Sequence, residues 1–466
     1  MDNDKKALQS GVWYTISNFL VKSIGFITTP IFTRLLSKEE FGLYNNYTSW
    51  LSILSIFITL NLESTLISAR YEYKDDFDNY IFSMLCLSSL STVIWFILFH
   101  FLSDFVVEYT SVDHIYLNVM LVYLFFFPAI TMFQMRERYF FEYKKTVVIS
   151  LLLAASTALL SVVLVLAVRD RLWGRITGSV IPTIILGLLI YLFLGYKARR
   201  FKLAYWKYAL PICLPYIPHL LAGVLLNSMD RIMIQRWCGS EATAMYSLAY
   251  SCGAIVALLV NSLNSAYAPW LGEKLSQNNY KEIYDFSKKY IYFFLIFSIG
   301  IMLIAPEILW FLGGDTYRNA KYVITPVAMG CVCQFLYTMF GNVEQFKKKT
   351  IGMASATVIA AAINYILNYL MIPRFGYFAA AYTTLVGYLC LLGMHMFLVF
   401  KIGLKTVYSY KYVLGAVLLG ILFMFIITLT YEFLSLRLMF IALYVFLLFL
   451  LFSRYKNRVI SIIKNK

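Results

Sequence analysis

The chain has 466 residues, of which 61% are hydrophobic and only 14% are charged, and its mean hydropathy is +0.72. A soluble domain does not bury so large an apolar fraction, so the composition excludes soluble classes and indicates a protein whose solvent is largely lipid. The formal charge of +16 does not indicate a nucleic-acid partner, because membrane proteins collect Lys and Arg in their cytoplasmic loops. No nucleic acid is expected as a partner.

Apolar segments run through almost the whole chain and are separated by short polar connections. A hydrocarbon core about 30 Å thick is crossed by roughly 20 residues of helix, so these segments predict an all-α, polytopic membrane protein with fourteen transmembrane helices. No connection is long enough to fold as a catalytic domain, so we do not expect an enzyme. The predicted spans are 11–35, 42–67, 80–103, 115–134, 146–168, 173–195, 208–233, 243–268, 288–312, 322–344, 351–371, 376–400, 412–431 and 436–454.

The distribution of Lys and Arg predicts the orientation of these spans. Most of them fall in connections that are cytoplasmic if both termini are cytoplasmic, as the positive-inside rule requires. The basic start, Met1–Lys6, leads into an apolar segment too long for a signal peptide, so we expect an uncleaved first span. Arg169, Arg171 and Arg175 break the rule. Either the fifth and sixth spans are misplaced, or the outer mouth is basic there.

A polar turn between two apolar segments occurs twice. Its first copy is Pro30–Tyr44 and its second is Gln235–Tyr246, and the two align without a gap. The identical pairs are Arg34 and Arg236, Glu39 and Glu241, and Tyr44 and Tyr246. Two similar halves in a membrane chain suggest a transporter whose site lies between them. We predict two pseudo-symmetric lobes of six helices, residues 1–200 and 201–404, followed by an extra helix pair and a cytoplasmic tail in 405–466.

Three segments carry a resemblance to a known family: the two copies of the turn and Asn368–Ala381, between the eleventh and twelfth predicted spans. On these motifs the chain resembles polysaccharide flippases that handle O-antigen or capsule repeat units. That family belongs to the MATE/MOP superfamily, together with multidrug extruders and the lipid II flippase. Ala379 stands where the family often has Gly, which is a conservative departure. These motifs identify the branch of the superfamily well, but they carry little information about the substrate.

The resemblance implies a MATE-like fold and a role in surface polysaccharide biosynthesis in a bacterial cytoplasmic membrane. The implied substrate is an undecaprenyl-pyrophosphate-linked oligosaccharide, moved from the cytoplasmic to the outer leaflet by alternating access through a central cationic cavity. Expected partners are this glycan carrier, membrane lipids, and a polymerase or other polysaccharide-assembly proteins. No cofactor is expected, although a proton or sodium gradient could drive transport. A lipid II flippase and a MATE-type multidrug or cation antiporter remain as alternatives.

Polar residues inside the predicted spans are the candidates for the cavity. Lys22 lies at the middle of the first span, where a charge costs about 2.5–3.5 kcal/mol unless it faces water or a partner. Glu63 is the acid of the second span and could pair with Lys22 or titrate. The alternatives are a structural ion pair for Lys22 and an interfacial acid near Arg70 for Glu63. The uncharged candidates, which could bind sugars or join helices, are Asn227, Asn364 and Asn368.

A second group of residues is predicted to gate the outer mouth or to couple an ion. These candidates are Arg34, Asp230, Arg231, Arg236 and His219. His219 follows a proline-rich bend and could carry a proton near neutral pH. The alternatives are helix-end charges at the headgroups for the arginines and the aspartate, and a buried hydrogen-bonder for the histidine.

Two further patterns indicate no special chemistry. The seven cysteines contain no CxxC pair and no Cys/His spacing typical of a metal site, so no metal is expected. Glu344 precedes the basic run Lys347–Lys349 and is expected to be a solvated cytoplasmic helix end. His395 lies in an otherwise apolar stretch and is assigned no role.

Overall fold

The structure is a computed structural model that describes residues 2–140, 142–198 and 200–464. Within these ranges the side chains at 2–12, 219, 254, 258, 266, 350, 451–452 and 454–464 lie outside the description. The described residues form helices, and no strand occurs among them. The α-helices are α1 (Asp2–Leu35), α2 (Lys38–Ile58), α3 (Leu66–Glu72), α4 (Phe77–Phe101), α5 (Ser103–Thr110), α6 (His114–Tyr139), α7 (Tyr143–Ala167), α8 (Arg171–Lys197), α9 (Ala204–Cys213), α10 (Ile217–Ser276), α11 (Tyr280–Leu303), α12 (Ala305–Gly313), α13 (Lys321–Phe346), α14 (Thr350–Phe375), α15 (Tyr377–Lys401), α16 (Tyr410–Thr430) and α17 (Leu434–Lys464).

Ten helices in the described part of the chain are long and apolar enough to cross a membrane. An eleventh span results if the bent pair Lys38–Ile58 and Leu62–Glu72, which meet at 49°, counts as one crossing. Helices suit a hydrocarbon environment because they satisfy their own backbone hydrogen bonds. Large apolar side chains such as Leu152, Leu159 and Leu166 are exposed on α7, as contact with lipid requires. The prediction of an all-α, multi-pass membrane protein is confirmed, while the number fourteen stays a prediction.

The first copy of the repeated turn separates α1 from α2, and Ser37 determines where α2 begins. The Glu40 backbone N–H donates to the Ser37 hydroxyl at 3.1 Å, and the Ser37 N–H donates to the Glu40 carboxylate at 2.7 Å. This reciprocal capping box satisfies two donors that would otherwise be unpaired at the helix start. A Ser followed three residues later by a Glu therefore encodes this helix boundary.

The second copy of the turn contains a break in α10. Gly239 has φ +83° and ψ −179°, so the 60-residue helix consists of two helices joined at this residue. A positive φ is strained for residues that carry a Cβ, and glycine adopts it without that cost. The break lies between two of the predicted spans, 208–233 and 243–268.

The two copies of the turn touch each other through their backbones. A Cβ built on Gly42 would lie only 1.8 Å from the Ser240 carbonyl oxygen and 2.6 Å from its carbon. Real Cβ atoms do not approach a carbonyl so closely, so α2 packs here because position 42 has no side chain. The two copies of the turn, which are similar in sequence, are therefore also in contact in the structure.

The chain divides into two compact units, and their boundaries differ from those of the predicted lobes. Unit 1 comprises Met1–Ser247 and Thr357–Thr383, and unit 2 comprises Leu248–Ala356 and Thr384–Lys466. The lobe boundaries at 1–200, 201–404 and 405–466 were drawn from the repeat, and they stay predictions.

Each unit has its own aromatic and aliphatic core. In unit 1, Tyr80 and Met84 of α4 are buried with Met132 of α6. In unit 2, the rings of Phe294 and Phe335 stack with centroids 4.2 Å apart. Buried aromatic pairs of this kind combine a large buried area with a defined geometry, and they hold neighbouring helices of each unit together.

The expectation for Glu344 is wrong. This side chain is 0% exposed in unit 2, and its Oε1 lies 2.7 Å from Nδ1 of His395, which is also buried. The run Lys347–Lys349 is exposed, as expected. The local charge pattern suggested a solvated helix end, but a histidine from α15 covers the carboxylate.

We predict that Gly42→Ala lowers the thermal unfolding midpoint of the purified protein in detergent. The added methyl group would push α2 away from Ser240, and overpacking of this kind typically costs about 1–3 kcal/mol. The control is Gly415→Ala in α16, where an added Cβ meets nothing within 4 Å. That change should leave the midpoint equal or slightly higher, because Ala is favoured over Gly in helices. Equal midpoints for the two variants would contradict the backbone contact.

Candidate functional site

A polar cavity of about 490 Å³ lies inside unit 1, between α1, α2, α6, α7 and α8. Most of its polar wall consists of hydroxyl groups. The described polar residues that line it and carry no charge are Thr28, Tyr44, Tyr47, Thr48, Tyr123, Thr131, Gln134, Ser150, Thr157, Ser179 and Thr183. Buried polar groups need hydrogen-bond partners, so the polar part of this wall suits water or a polar ligand.

One face of α1 forms a wall of this cavity. Gly25, Thr28 and Phe32 are spaced by three and four residues and therefore share a face of the helix. The face extends from Val21 to Phe32, about 16 Å along the axis at 1.5 Å per residue. Lys22 is exposed, lies about 100° around the helix from Val21, and is not among the described lining residues. Its predicted role stays a prediction.

Arg175, in the second turn of α8, is the charged residue among the described residues of the cavity wall. Its guanidinium carbon lies 3.7 Å from the centre of the Phe32 ring and 4.2 Å from that of Tyr44. At these distances a cation is attracted to the faces of aromatic rings. The rings do not replace a hydrogen-bond acceptor, and the buried Nε of Arg175 has no such partner in the described part of the chain.

The sequence contains one signal for Arg175, which marks it as unusual without assigning it a role. Arg175 appeared there as one of three exceptions to the positive-inside rule. The structure gives Arg175 a place on the wall of a cavity, whereas Arg169 is exposed at the start of the turn before α8. An arginine that breaks the charge rule inside a span was therefore a usable marker of this cavity.

Four threonine hydroxyls of the cavity, those of Thr28, Thr48, Thr131 and Thr157, donate to carbonyls of their own helices. Thr131 Oγ1 donates to the Pro128 carbonyl at 3.1 Å, and Thr157 Oγ1 donates to the Ala154 carbonyl at 3.0 Å. Thr28 does the same within α1. A hydroxyl that has used its proton in this way still presents lone pairs. The threonine part of the wall is therefore better at accepting hydrogen bonds than at donating them.

A second polar region, the Asp230 cluster, consists of Asp230, Tyr246, Asn364, Asn368 and Thr383 in unit 1. Asp230 is 1% exposed, and its carboxylate accepts hydrogen bonds from Tyr246 Oη at 2.5 Å and from Asn368 Nδ2 at 2.6 Å. Asn368 Nδ2 also lies 3.1 Å from Asn364 Oδ1, and the Thr383 hydroxyl donates to Asn368 Oδ1. The cluster joins α10, α14 and α15 and gathers several oxygen atoms around one buried carboxylate.

The structure brings three of the predicted site residues together in this cluster: Asp230, Asn364 and Asn368. The sequence had assigned the aspartate to gating or coupling and the two asparagines to substrate binding. Tyr246 and Thr383 were not singled out. Tyr246 had a signal, because it is the tyrosine that the repeated turn conserves between its two copies.

Other predicted residues are not part of the cavity wall or the Asp230 cluster as described. Glu63 is half-buried in the short 3₁₀ helix Leu62–Thr65. Asn227 is exposed, and its side chain donates to the Gly223 carbonyl at 2.8 Å, within its own helix. The side chain of His219 lies outside the described residues, so its predicted role is unaffected.

The arginines predicted to form a gate make different contacts. Arg34 is exposed and donates to the Pro30 carbonyl at 2.9 Å, which ties it to its own helix end. The guanidinium carbon of Arg236 lies 5.3 Å from the centre of the Tyr109 ring. Arg231 is half-buried. Equivalent positions of the repeat thus have different surroundings, and the gate stays a prediction.

Comparison with known protein families gives two matches. A family model described as "Polysaccharide biosynthesis protein" matches residues 7–275, which is more than half of the chain. A second, described as "MatE", matches residues 215–370. The two matches overlap in the segment that contains the second copy of the turn and Asp230.

Curated relatives are distant in sequence. "Uncharacterized membrane protein MJ1068" of Methanocaldococcus jannaschii is 21% identical over 429 residues, which cover 83% of this chain and 83% of that protein. "Probable low-salt glycan biosynthesis flippase Agl15" of Haloferax volcanii is 24% identical over 198 residues, which cover 42% of this chain and 40% of that protein.

Solved structures share the fold. "Lipid II flippase MurJ, inward closed conformation" matches with a TM-score of 0.72 at 13% identity, covering 96% of this chain and 100% of that chain. An inward-facing multidrug resistance MATE family transporter of the MOP superfamily matches with a TM-score of 0.58 at 14% identity, covering 84% and 98%. At such identities the likeness shows the fold alone, and that fold is the one shared by MurJ and the MATE transporters.

We predict that Tyr246→Phe destabilises the protein by about 1–3 kcal/mol, because it leaves the buried Asp230 carboxylate short of one donor. The thermal unfolding midpoint in detergent measures this loss. Tyr290→Phe is the matched control, since the buried Tyr290 hydroxyl has no hydrogen-bond partner among the described residues. That change should be neutral or slightly stabilising. A Tyr246→Phe protein as stable as the Tyr290→Phe protein would contradict the role of this hydrogen bond.

Proposed function

The chain belongs to the polysaccharide biosynthesis protein family, and on this premise we propose that it is a flippase for undecaprenyl-pyrophosphate-linked oligosaccharides. It would move them from the cytoplasmic to the outer leaflet of a bacterial cytoplasmic membrane, for the assembly of a surface polysaccharide. The resemblance found in the sequence is confirmed at the level of the family and of the MOP superfamily. The observation that carries the proposal is the cavity whose wall combines hydroxyl groups with the half-buried Arg175, set within a bundle of apolar spans.

The physical problem of flipping explains why such a cavity supports the proposal. Each sugar hydroxyl or phosphate oxygen taken into hydrocarbon without a partner costs about 2–7 kcal/mol. A glycan carries many such groups, so it crosses only where the protein supplies replacements for water. The polyprenyl tail is apolar and can stay in lipid. A polar interior within an apolar exterior therefore suits this substrate, and it requires no catalytic domain.

The proposal includes fourteen spans with both termini in the cytoplasm. The ten apolar helices of the described chain would be joined by α1, by the bent pair α2 and α3, and by α17. The break at Gly239 would divide α10, already counted once, into two crossings, which adds the fourteenth. Two six-helix lobes, an extra helix pair and alternating access belong to the same proposal, as does association with membrane lipids and a polymerase.

Lys22 is the residue we propose to attract the anionic carrier. Its side chain is exposed on α1, and no ion pair to it is found in the described ranges. An ammonium group near the middle of an apolar span is costly unless it serves water or a ligand. Glu63, Asn227, Asn364 and Asn368 would contribute polar surface along the route.

The Asp230 cluster is the place we propose for ion coupling. It offers a carboxylate, two amide oxygens and a hydroxyl, and oxygen ligands of this kind suit hard cations such as sodium. A proton on the Asp230 carboxylate would neutralise its negative charge, as a bound sodium ion would. Binding of either ion would change the hydrogen bonds that join α10 to α14 and α15, which links the ion to the packing of these helices.

We predict that the purified protein in proteoliposomes flips an undecaprenyl-pyrophosphate-linked oligosaccharide repeat unit faster than it flips lipid II. We also expect that it does not transport a cationic dye. Lys22→Ala should slow flipping by roughly tenfold or more, because a charged hydrogen bond is worth about 1.5–3 kcal/mol. Lys281→Ala, at an exposed lysine in the first turn of α11, is the control and should flip normally. A preference for lipid II or for the dye would replace the proposal with the corresponding alternative.

We also predict that flipping depends on a sodium or proton gradient and that Asp230→Asn removes this dependence. The substitution keeps the shape of the side chain and removes its charge. Rates would be compared with a sodium gradient, a pH gradient or neither, and Asp285→Asn, at an exposed acid, is the control. A wild-type rate that is the same under all three conditions would eliminate the coupling role.

A further inference from the structure

We propose that the cavity of unit 1 binds a sugar ring that carries a carboxylate, and that Arg175 selects for this acidic sugar. The inference deepens the proposed function, on which it rests for the origin of the sugar as part of a lipid-linked glycan. The binding itself is a property of the cavity, and it can be measured with free sugars.

The first step concerns charge. Arg175 is the charged residue among the described lining residues, and its buried Nε has no hydrogen-bond partner in the described chain. Phe32 and Tyr44 stabilise the cation through their ring faces but accept no conventional hydrogen bond from it. A guanidinium pairs with a carboxylate through two parallel hydrogen bonds. A ligand carboxylate would therefore satisfy both the charge and the orphan donor.

The second step concerns the number of charges. A phosphate monoester carries a charge of about −1.5 to −2 at neutral pH and has three strong acceptor oxygens. The described wall offers a single cation and threonine hydroxyls that have already donated their protons. Such a wall compensates one negative charge rather than two. This balance favours a carboxylate over a phosphate.

The third step concerns the hydroxyl groups of the ligand. Thr28, Thr131 and Thr157 donate to their own helices and present lone pairs to the cavity. The matching ligand must donate several hydrogen bonds, which is what the hydroxyl groups of a sugar do. Tyr47 is 2% exposed, lines the cavity, and its hydroxyl has no partner in the part of the chain that is described. A sugar hydroxyl would satisfy it.

The fourth step concerns size and shape. The cavity volume of about 490 Å³ falls in the range of about 300–1,000 Å³ that holds small molecules. Tyr123 and Phe127 stack on each other along one wall, with ring centroids 5.1 Å apart. Aromatic surfaces of this kind suit the apolar face of a sugar ring. Charge, hydrogen bonding and shape thus describe the same ligand class.

The test is equilibrium binding to the full-length protein in nanodiscs, with D-glucuronate as the probe. Its uncharged methyl ester, glucose and inorganic phosphate are the competitors. We expect glucuronate to bind about tenfold or more tightly than the ester or glucose, the difference that one charge-assisted pair supports. Phosphate should displace it poorly. No binding of glucuronate, equal binding of its ester, or tighter binding of phosphate would overturn the proposal.

Variants locate the site. Arg175→Gln should weaken glucuronate binding by about tenfold or more while leaving glucose binding unchanged. Arg175→Lys keeps a cation over the rings but lacks the planar guanidinium, so its affinity for glucuronate should lie between those of the wild type and of Arg175→Gln. Arg169→Gln, at an exposed arginine before α8, is the matched control and should bind like wild type. If Arg175→Gln does not fold, Arg175→Lys and Tyr47→Phe still decide, and unchanged glucuronate affinity in both would overturn the proposal.

The same sugars separate this inference from the proposed function. Flipping of a lipid-linked glycan that contains an acidic sugar would be compared with flipping of its neutral counterpart. Selective binding of glucuronate without any flipping would refute the flippase and leave the cavity assignment intact. Flipping with no preference for acidic sugars, together with no binding of glucuronate, would refute the cavity assignment and leave the flippase intact.

Discussion

Hydrocarbon offers no hydrogen bonds, so every polar group within the spans must find its partner inside the protein. The backbone meets this requirement by forming helices throughout. The polar side chains meet it in two ways in unit 1. The Asp230 carboxylate accepts hydrogen bonds from Tyr246 of α10 and Asn368 of α14, whereas Arg175 lies against two aromatic rings and its buried Nε has no hydrogen-bond partner among the described residues. The Asp230 carboxylate has hydrogen-bond partners within its own cluster, and Arg175 retains a hydrogen-bond donor for a ligand.

The repeated turn contributes to both arrangements. Its conserved tyrosine is Tyr44 in the first copy and Tyr246 in the second. Tyr44 presents its ring face to a cation, Arg175, and Tyr246 donates its hydroxyl to an anion, Asp230. A tyrosine can do either, because it combines a π face with a polar tip. The two copies of the turn thus contribute a tyrosine each to two polar regions whose charged groups have opposite sign.

The sequence predicted what depends on neighbouring residues and missed what depends on the meeting of distant helices. The length of the apolar segments predicted the membrane helices. The contacts of Asp230 with Asn368 and of Arg175 with Phe32 join helices far apart in the chain, and no local pattern reveals which faces meet. The error at Glu344 has the same cause, since its partner His395 lies 51 residues away.

The contact between Gly42 and Ser240 restricts how either copy of the turn could change in sequence. Main chain rests on main chain there, so no side chain is available to absorb a change in either copy. Position 42 could gain a side chain only if the backbone opposite, at Ser240, retreated in the same step. Relatives in which glycine is lost at this position should therefore carry a compensating shift or shortening in the second turn.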